Sequence, residues 1–168
     1  MKTLKKPLSV ALINALLFTV LILIHYSGTT IKIGSANPFS ALALLVAVIM
    51  FSSEVTGVLT GAIIGIVLDS ITSTPVGFNT ITLIVISFIA TLVSHYLFNR
   101  NIKAALALCL ICSALYFGAR WLAGFAFAGD IAANFKYLLN YAATSAVYTS
   151  VFVVPFFYLE RKLFKNIG

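Results

Sequence analysis

The sequence predicts an all-α membrane protein, a bundle of six transmembrane helices with both termini on the cytoplasmic side. Three observations lead there. Of the 168 residues, 61% are hydrophobic and only 9% are charged, against about a quarter charged in soluble domains; the mean hydropathy is +1.09. The apolar residues fall into six continuous runs, and the basic residues collect between alternate runs. Six spans of about 20 residues use roughly 120 positions, which leaves no space for a separate soluble catalytic domain. The chain is therefore read as one integral membrane domain, 1–168, with spans at about 8–26, 38–53, 55–71, 78–98, 104–122 and 137–159.

The first run follows Lys2, Lys5, Lys6 and Pro7 and is longer than a signal-peptide core, with no small-x-small cleavage site after it, so it is expected to stay as a span. Asn37-Pro38 breaks the chain before the second run, Phe39 to Phe51, which is short for a bilayer. The third ends in the turn-forming stretch Asp69 to Gly77. The fourth is joined to the fifth by the basic connection Asn99 to Lys103, and a loop with Asp130 and Lys136 leads to the sixth. Whether 124–135 forms a short interfacial helix is left open by the sequence. None of the runs alternates as a barrel strand does.

Charge supports the count of six. Lys2, Lys5, Lys6, Arg100, Lys103, Arg161, Lys162 and Lys165 fall on one side, and Lys32 and Lys136 on the other, with Arg120 near a span end. Positive charge marks the cytoplasmic face. The net charge of +7 then reflects orientation and contact with anionic membrane lipids, and nucleic acid is not expected as a partner.

Several constellations bear on chemistry. Gly57, Gly61, Gly65 and Asp69 repeat at i+4 on the third helix and form one stripe. Missing side chains let helices approach closely in a membrane, so the stripe serves packing within the bundle or docking of a partner's helix. Asp69 is costly inside a bilayer, by about 2.5 to 3.5 kcal/mol on insertion scales, and needs a partner. Counted from the basic end, it lies about 21 Å up its helix and Arg120 about 24 Å up its own. Asp69 is thus expected to bond either to the loop through Pro75 and Gly77 or to Arg120. On the sixth helix Asn140, Tyr141, Thr144 and Tyr148, with Ser145 and Thr149 beside them, form a polar band that is either hydrogen-bonding glue or the wall of an outward pocket. Cys109 and Cys112 have CxxC spacing, but two thiols without a neighbouring His do not close a metal site, and they read as packing residues. The only carboxylates are Glu54, Asp69, Asp130 and Glu160, and no nucleotide-binding, zinc-protease or serine-hydrolase motif occurs. No catalytic residue, metal or cofactor is expected.

From Gly57 to Gly77 the sequence resembles the rod-shape-determining MreD family, which carries G-x-x-x-G-x-x-x-D followed by a Gly at the start of the next helix; Gly61, Gly65, Asp69 and Gly77 match that arrangement. Pro38 before the second span, and Pro155 in the last span ahead of a basic tail, also match. The chain departs from the pattern at Asn37, where a basic residue is common, and in the Ser/Thr-rich strip before Pro75. The resemblance implies a non-enzymatic scaffold of the cell-elongation and peptidoglycan-synthesis machinery in the bacterial inner membrane. Its implied partners are MreC and, indirectly, MreB, RodA and a penicillin-binding transpeptidase. It also implies a fold similar to the substrate-binding subunits of energy-coupling-factor transporters. Such a vitamin-binding subunit is the alternative function, which Ala11-x-x-x-Ala15 favours weakly. An open outward cavity at Asn140, Tyr141, Thr144 and Tyr148 would favour transport, and a filled interior the scaffold.

Overall fold

The computed structural model describes residues 13–22, 39–72, 77–96, 101–128 and 142–165, with side chains described to residue 123 in the fourth stretch. Pro38, Pro75, Asn140 and Tyr141 lie outside the described residues. Among those residues the chain is all helical: α1 Ile13–Ile22, α2 Ser40–Phe51, α3 Glu54–Ile71, α4 Phe78–Tyr96, α5 Ile102–Ala128 and α6 Ala143–Lys165. Four of them, α3 to α6, are long and apolar enough to cross a membrane.

The short second run becomes the axis of the bundle. α2 has 12 residues, about 18 Å at 1.5 Å per residue, and every one from Ser40 to Met50 is buried. A helix that is apolar all round belongs inside a protein, and α2 packs against α3, α4, α5 and α6. Its interior position explains its length. Enclosed by longer helices, it has no need to match the bilayer's hydrocarbon thickness by itself.

Local signals set the helix starts and stops. Ser53 caps α3, accepting from the Thr56 N–H, and Glu54 places negative charge in the first turn. α3 closes at Thr72, whose N–H and hydroxyl both donate to the Leu68 carbonyl at 2.8 Å. The two-residue link Ser52-Ser53 forces α2 and α3 antiparallel. α5 continues through Gly124 to Ala128, so the first part of the 124–135 segment prolongs that helix; 129–135 lies outside the described residues.

Ring contacts fix the relative direction of α2 and α6. Phe39, just before α2, donates its N–H to Thr149 Oγ1 at 2.9 Å, while Phe51 at the other end meets Phe157 and Phe164. The two helices therefore run parallel. The start of α1 and the end of α6 meet at one end of the bundle, where Asn14 and Phe164 line the same cavity. Lys103, Arg161, Lys162 and Lys165 are exposed at that end.

Candidate functional site

The glycine stripe of α3 faces α4. Gly57, Gly61 and Gly65 are all buried, and each meets a polar position on the antiparallel partner. A β-carbon at Gly57 would lie 2.8 Å from Thr91 Oγ1. At Gly61 it would press on the Ser87 hydroxyl and lie 2.7 Å from Ser87 Cβ and 3.0 Å from the Leu83 carbonyl. At Gly65 every contact is backbone: a β-carbon there would overlap Thr80 Cα and stand 2.9 Å from the Thr80 nitrogen. The contact atoms change from side chain at Gly57 to backbone at Gly65, so the helices draw together toward the Asp69 end. α4 covers the stripe, which leaves no room on it for the helix of another protein.

One turn beyond Gly65, Asp69 reaches the start of α4. Its carboxylate accepts from the backbone N–H of Asn79 and of Thr80, each at 2.9 Å, and from the Thr80 hydroxyl. These amides lie in the first turn of α4, where no intrahelical acceptor exists. An N-cap side chain normally serves them. Here the position before Phe78 is Gly77, which has no side chain and adopts φ +85°. Gly77 lets the chain turn into α4, and Asp69 supplies the cap from the neighbouring helix. The helix dipole adds to this, since a negative group is favoured at a helix N-terminus.

The sequence left Asp69 a choice between the Gly77 end of the loop and Arg120, and the pairing with Arg120 is not formed. Arg120 is exposed on α5, a helix that shares no substantial interface with α3. The carboxylate oxygens are already engaged by fixed N–H donors that close packing at Gly65 brings within reach. Equal depth in the bilayer places two groups at one level but not on facing sides.

Asn79 extends the capping contact into the core. It is fully buried, donates from Nδ2 to Thr72 Oγ1 at 3.0 Å and accepts from the Tyr116 hydroxyl at 2.8 Å. Tyr116 on α5 stacks on Phe39, with ring centroids 4.8 Å apart. Through Phe39 and Thr149 the cluster reaches α2 and α6. Asp69, Asn79, Tyr116, Phe39 and Thr149 thus join α2 to α6 at one level of the bundle. Sequence reasoning missed Asn79 and Tyr116. The signal was present, because an amide within an apolar span needs a partner as Asp69 does.

The polar band of α6 divides into an inner and an outer row. Ser145 and Thr149 are fully buried; Thr149 Oγ1 donates to the Ser145 carbonyl at 2.7 Å and accepts from Phe39. Thr144 is exposed and Tyr148 half-buried, its ring edge-on to Phe152. The i+4 row that faces inward is one residue on from the row chosen from the sequence. Pro155 lies within α6 and is exposed, so its missing N–H falls on the outer side. Cys109 and Cys112 are buried free thiols, and among the described residues no three of His, Cys, Asp and Glu gather as metal ligands would.

Chemically, the Asp69 cluster binds helices to one another. The carboxylate is saturated by N–H and O–H donors, which suits a structural anion better than a proton acceptor for substrate. Two described cavities lie away from it: one of about 420 Å³ among α1, α2, α3 and Phe164, and one of about 350 Å³ on the outer surface of α3 and α4. Comparison with protein-family models matches residues 5–163 to the family described as rod shape-determining protein MreD. Comparisons with curated proteins and with solved structures give no match.

Proposed function

Because this chain belongs to the MreD family, whose role is rod shape determination, we propose that it is a non-enzymatic scaffold of the cell-elongation machinery. In this reading it crosses the bacterial cytoplasmic membrane six times, with both termini inside. It binds MreC and helps couple MreB filaments to the peptidoglycan synthases, RodA and a penicillin-binding transpeptidase. The bundle that does this is of the kind found in energy-coupling-factor substrate-binding subunits.

The observation that carries the proposal is the way the interior is used. α2 fills the centre with side chains, and the cluster of Asp69, Asn79, Tyr116, Phe39 and Thr149 ties five helices into a fixed arrangement. A rigid bundle whose polar groups bond one another suits a part that holds others in register. A vitamin-binding subunit would need that interior space for its ligand. With the glycine stripe covered by α4, partner contact falls to outward faces such as Leu59, Ile63 and Ile66 on α3 or Leu110 and Leu115 on α5.

The test is copurification with MreC from membranes, combined with cell shape on depletion. Recovery of MreC with the tagged protein, and rounding of depleted cells, are the expected results. Rod shape retained after depletion, or binding of a vitamin with no recovery of MreC, would overturn the reading.

A further inference from the structure

The cavity among α1, α2, α3 and Phe164 is a slot with a volume of about 420 Å³, within the ~300–1,000 Å³ range of small-molecule sites. One end is fixed where Phe51 of α2 stacks on Phe164 of α6, ring centroids 6.0 Å apart, at the level of the Ser52-Ser53 link. From Ser53 to Ile64 the slot follows α3, about 16 Å at 1.5 Å per residue. Buried Phe18, Leu44, Val48 and Ile64 close its inner side. Leu59 and Ile63 also line it, yet they are 57% and 59% exposed, so the slot opens sideways along α3. That helix is long and apolar enough to cross a membrane, and there an exposed Leu or Ile meets acyl chains, not water. The bilayer itself therefore supplies the occupant.

The end beside Phe164 has a different chemistry. Ser53 Oγ and Thr56 Oγ1 are exposed and 2.8 Å apart. Their bond uses one of the two hydroxyl protons, and the other is left for an outside acceptor. Arg161, Phe164 and Lys165 stand at i, i+3 and i+4 and so share one face of α6. Both cations are exposed, and since Phe164 lines the slot, they flank that end of it. No described carboxylate opposes them there: Glu54 lines the separate groove between α3 and α4, and Glu160 is fully buried and does not line the slot. A free hydroxyl proton beside two cations suits a head that is anionic and rich in acceptor oxygens, and Arg binds phosphate with two parallel N–H bonds.

We propose that the slot holds one acyl chain of an anionic phospholipid, whose phosphate lies against Arg161 and Lys165 and whose ester or phosphate oxygen takes the free hydroxyl proton of the Ser53–Thr56 pair. The second chain stays in the bilayer, outside Leu59 and Ile63. Apolar depth selects the chain, and the basic end selects the headgroup. The bound lipid fills the space between α1 and α3.

The test places the full chain in nanodiscs of equal parts phosphatidylglycerol and phosphatidylcholine with the same acyl chains, and counts the lipids retained on release by native mass spectrometry. The wild type should keep phosphatidylglycerol over phosphatidylcholine about tenfold, the scale of one charge-assisted hydrogen bond. Arg161→Gln combined with Lys165→Gln should bring that ratio close to one while a lipid is still retained. Ala15→Phe, which fills the slot from α1, should lose the lipid of either kind, with cooperative thermal unfolding as the check that it is folded. A photolabel on the wild type makes the result independent of that variant: phosphatidylglycerol with a diazirine in its acyl chain should mark Leu44 or Val48, buried residues of α2 that line the slot. Equal retention of both lipids by the wild type, an unchanged ratio in the double variant, or label confined to Val58, Phe88 and Leu92 of the α3–α4 groove overturns the proposal.

Discussion

Asp69 accepts the backbone N–H of Thr80 at 2.9 Å, so a side chain of α3 serves as the cap of α4. This one bond relates the family motif to the fold. The glycines bring the helices together, the acid fixes their ends, and Gly77 permits the turn between them.

Removing that cap should loosen the hairpin. Asp69→Ala is expected to destabilise the protein by about 1 to 2 kcal/mol, as loss of an N-cap does, and Asp69→Asn by less, since it keeps one acceptor oxygen. Thermal unfolding in detergent measures both. Wild-type stability in Asp69→Ala would show that the carboxylate does not hold α4. Normal rod morphology in cells carrying Asp69→Asn would show that its charge is dispensable for function.

The three glycines should differ in tolerance. Gly65→Ala meets backbone atoms of Thr80 and Asn79 and is expected to cost about 1 to 3 kcal/mol, the scale of overpacking. Gly57→Ala meets the end of the Thr91 side chain, and adding Thr91→Ala should recover most of its smaller loss. Thr80→Ala should not rescue Gly65→Ala, because the clash is with atoms that every residue possesses. Equal rescue at both sites would contradict the graded approach of the helices.

Gly77 isolates backbone strain from packing. A β-carbon there would meet nothing within 4 Å, so Gly77→Ala should lose about 1 to 2 kcal/mol from the positive φ alone. Gly77→Asn should lose less, as Asn tolerates that region better. If Ala and Asn prove equally harmful, the left-handed turn is not the reason for the glycine.

Tyr116→Phe removes one oxygen and leaves Asn79 Oδ1 buried without the Tyr116 donor, with an expected loss of about 1 to 3 kcal/mol. Leu115→Ala on the exposed side of the same helix should change unfolding very little. A double-mutant cycle of Tyr116→Phe with Asn79→Ala should then show strong coupling, and additive effects would mean the hydroxyl contributes independently of the amide.

The sequence by itself determined the helical membrane character, the glycine spacing on α3 and the need of Asp69 for a partner. These are properties of composition and of a 3.6-residue period, which any chain carries before it packs. Tertiary structure decided the rest. It put the shortest apolar run at the centre, because α2 is buried on every side; it turned Ser145 and Thr149 inward in place of Thr144 and Tyr148, a rotation of one residue that periodicity does not resolve. It also gave Asp69 the amides of α4 in place of the Arg120 guanidinium, because a hydrogen bond depends on facing and on a few tenths of an ångström of helix separation, and Gly65 sets that separation against the Thr80 backbone.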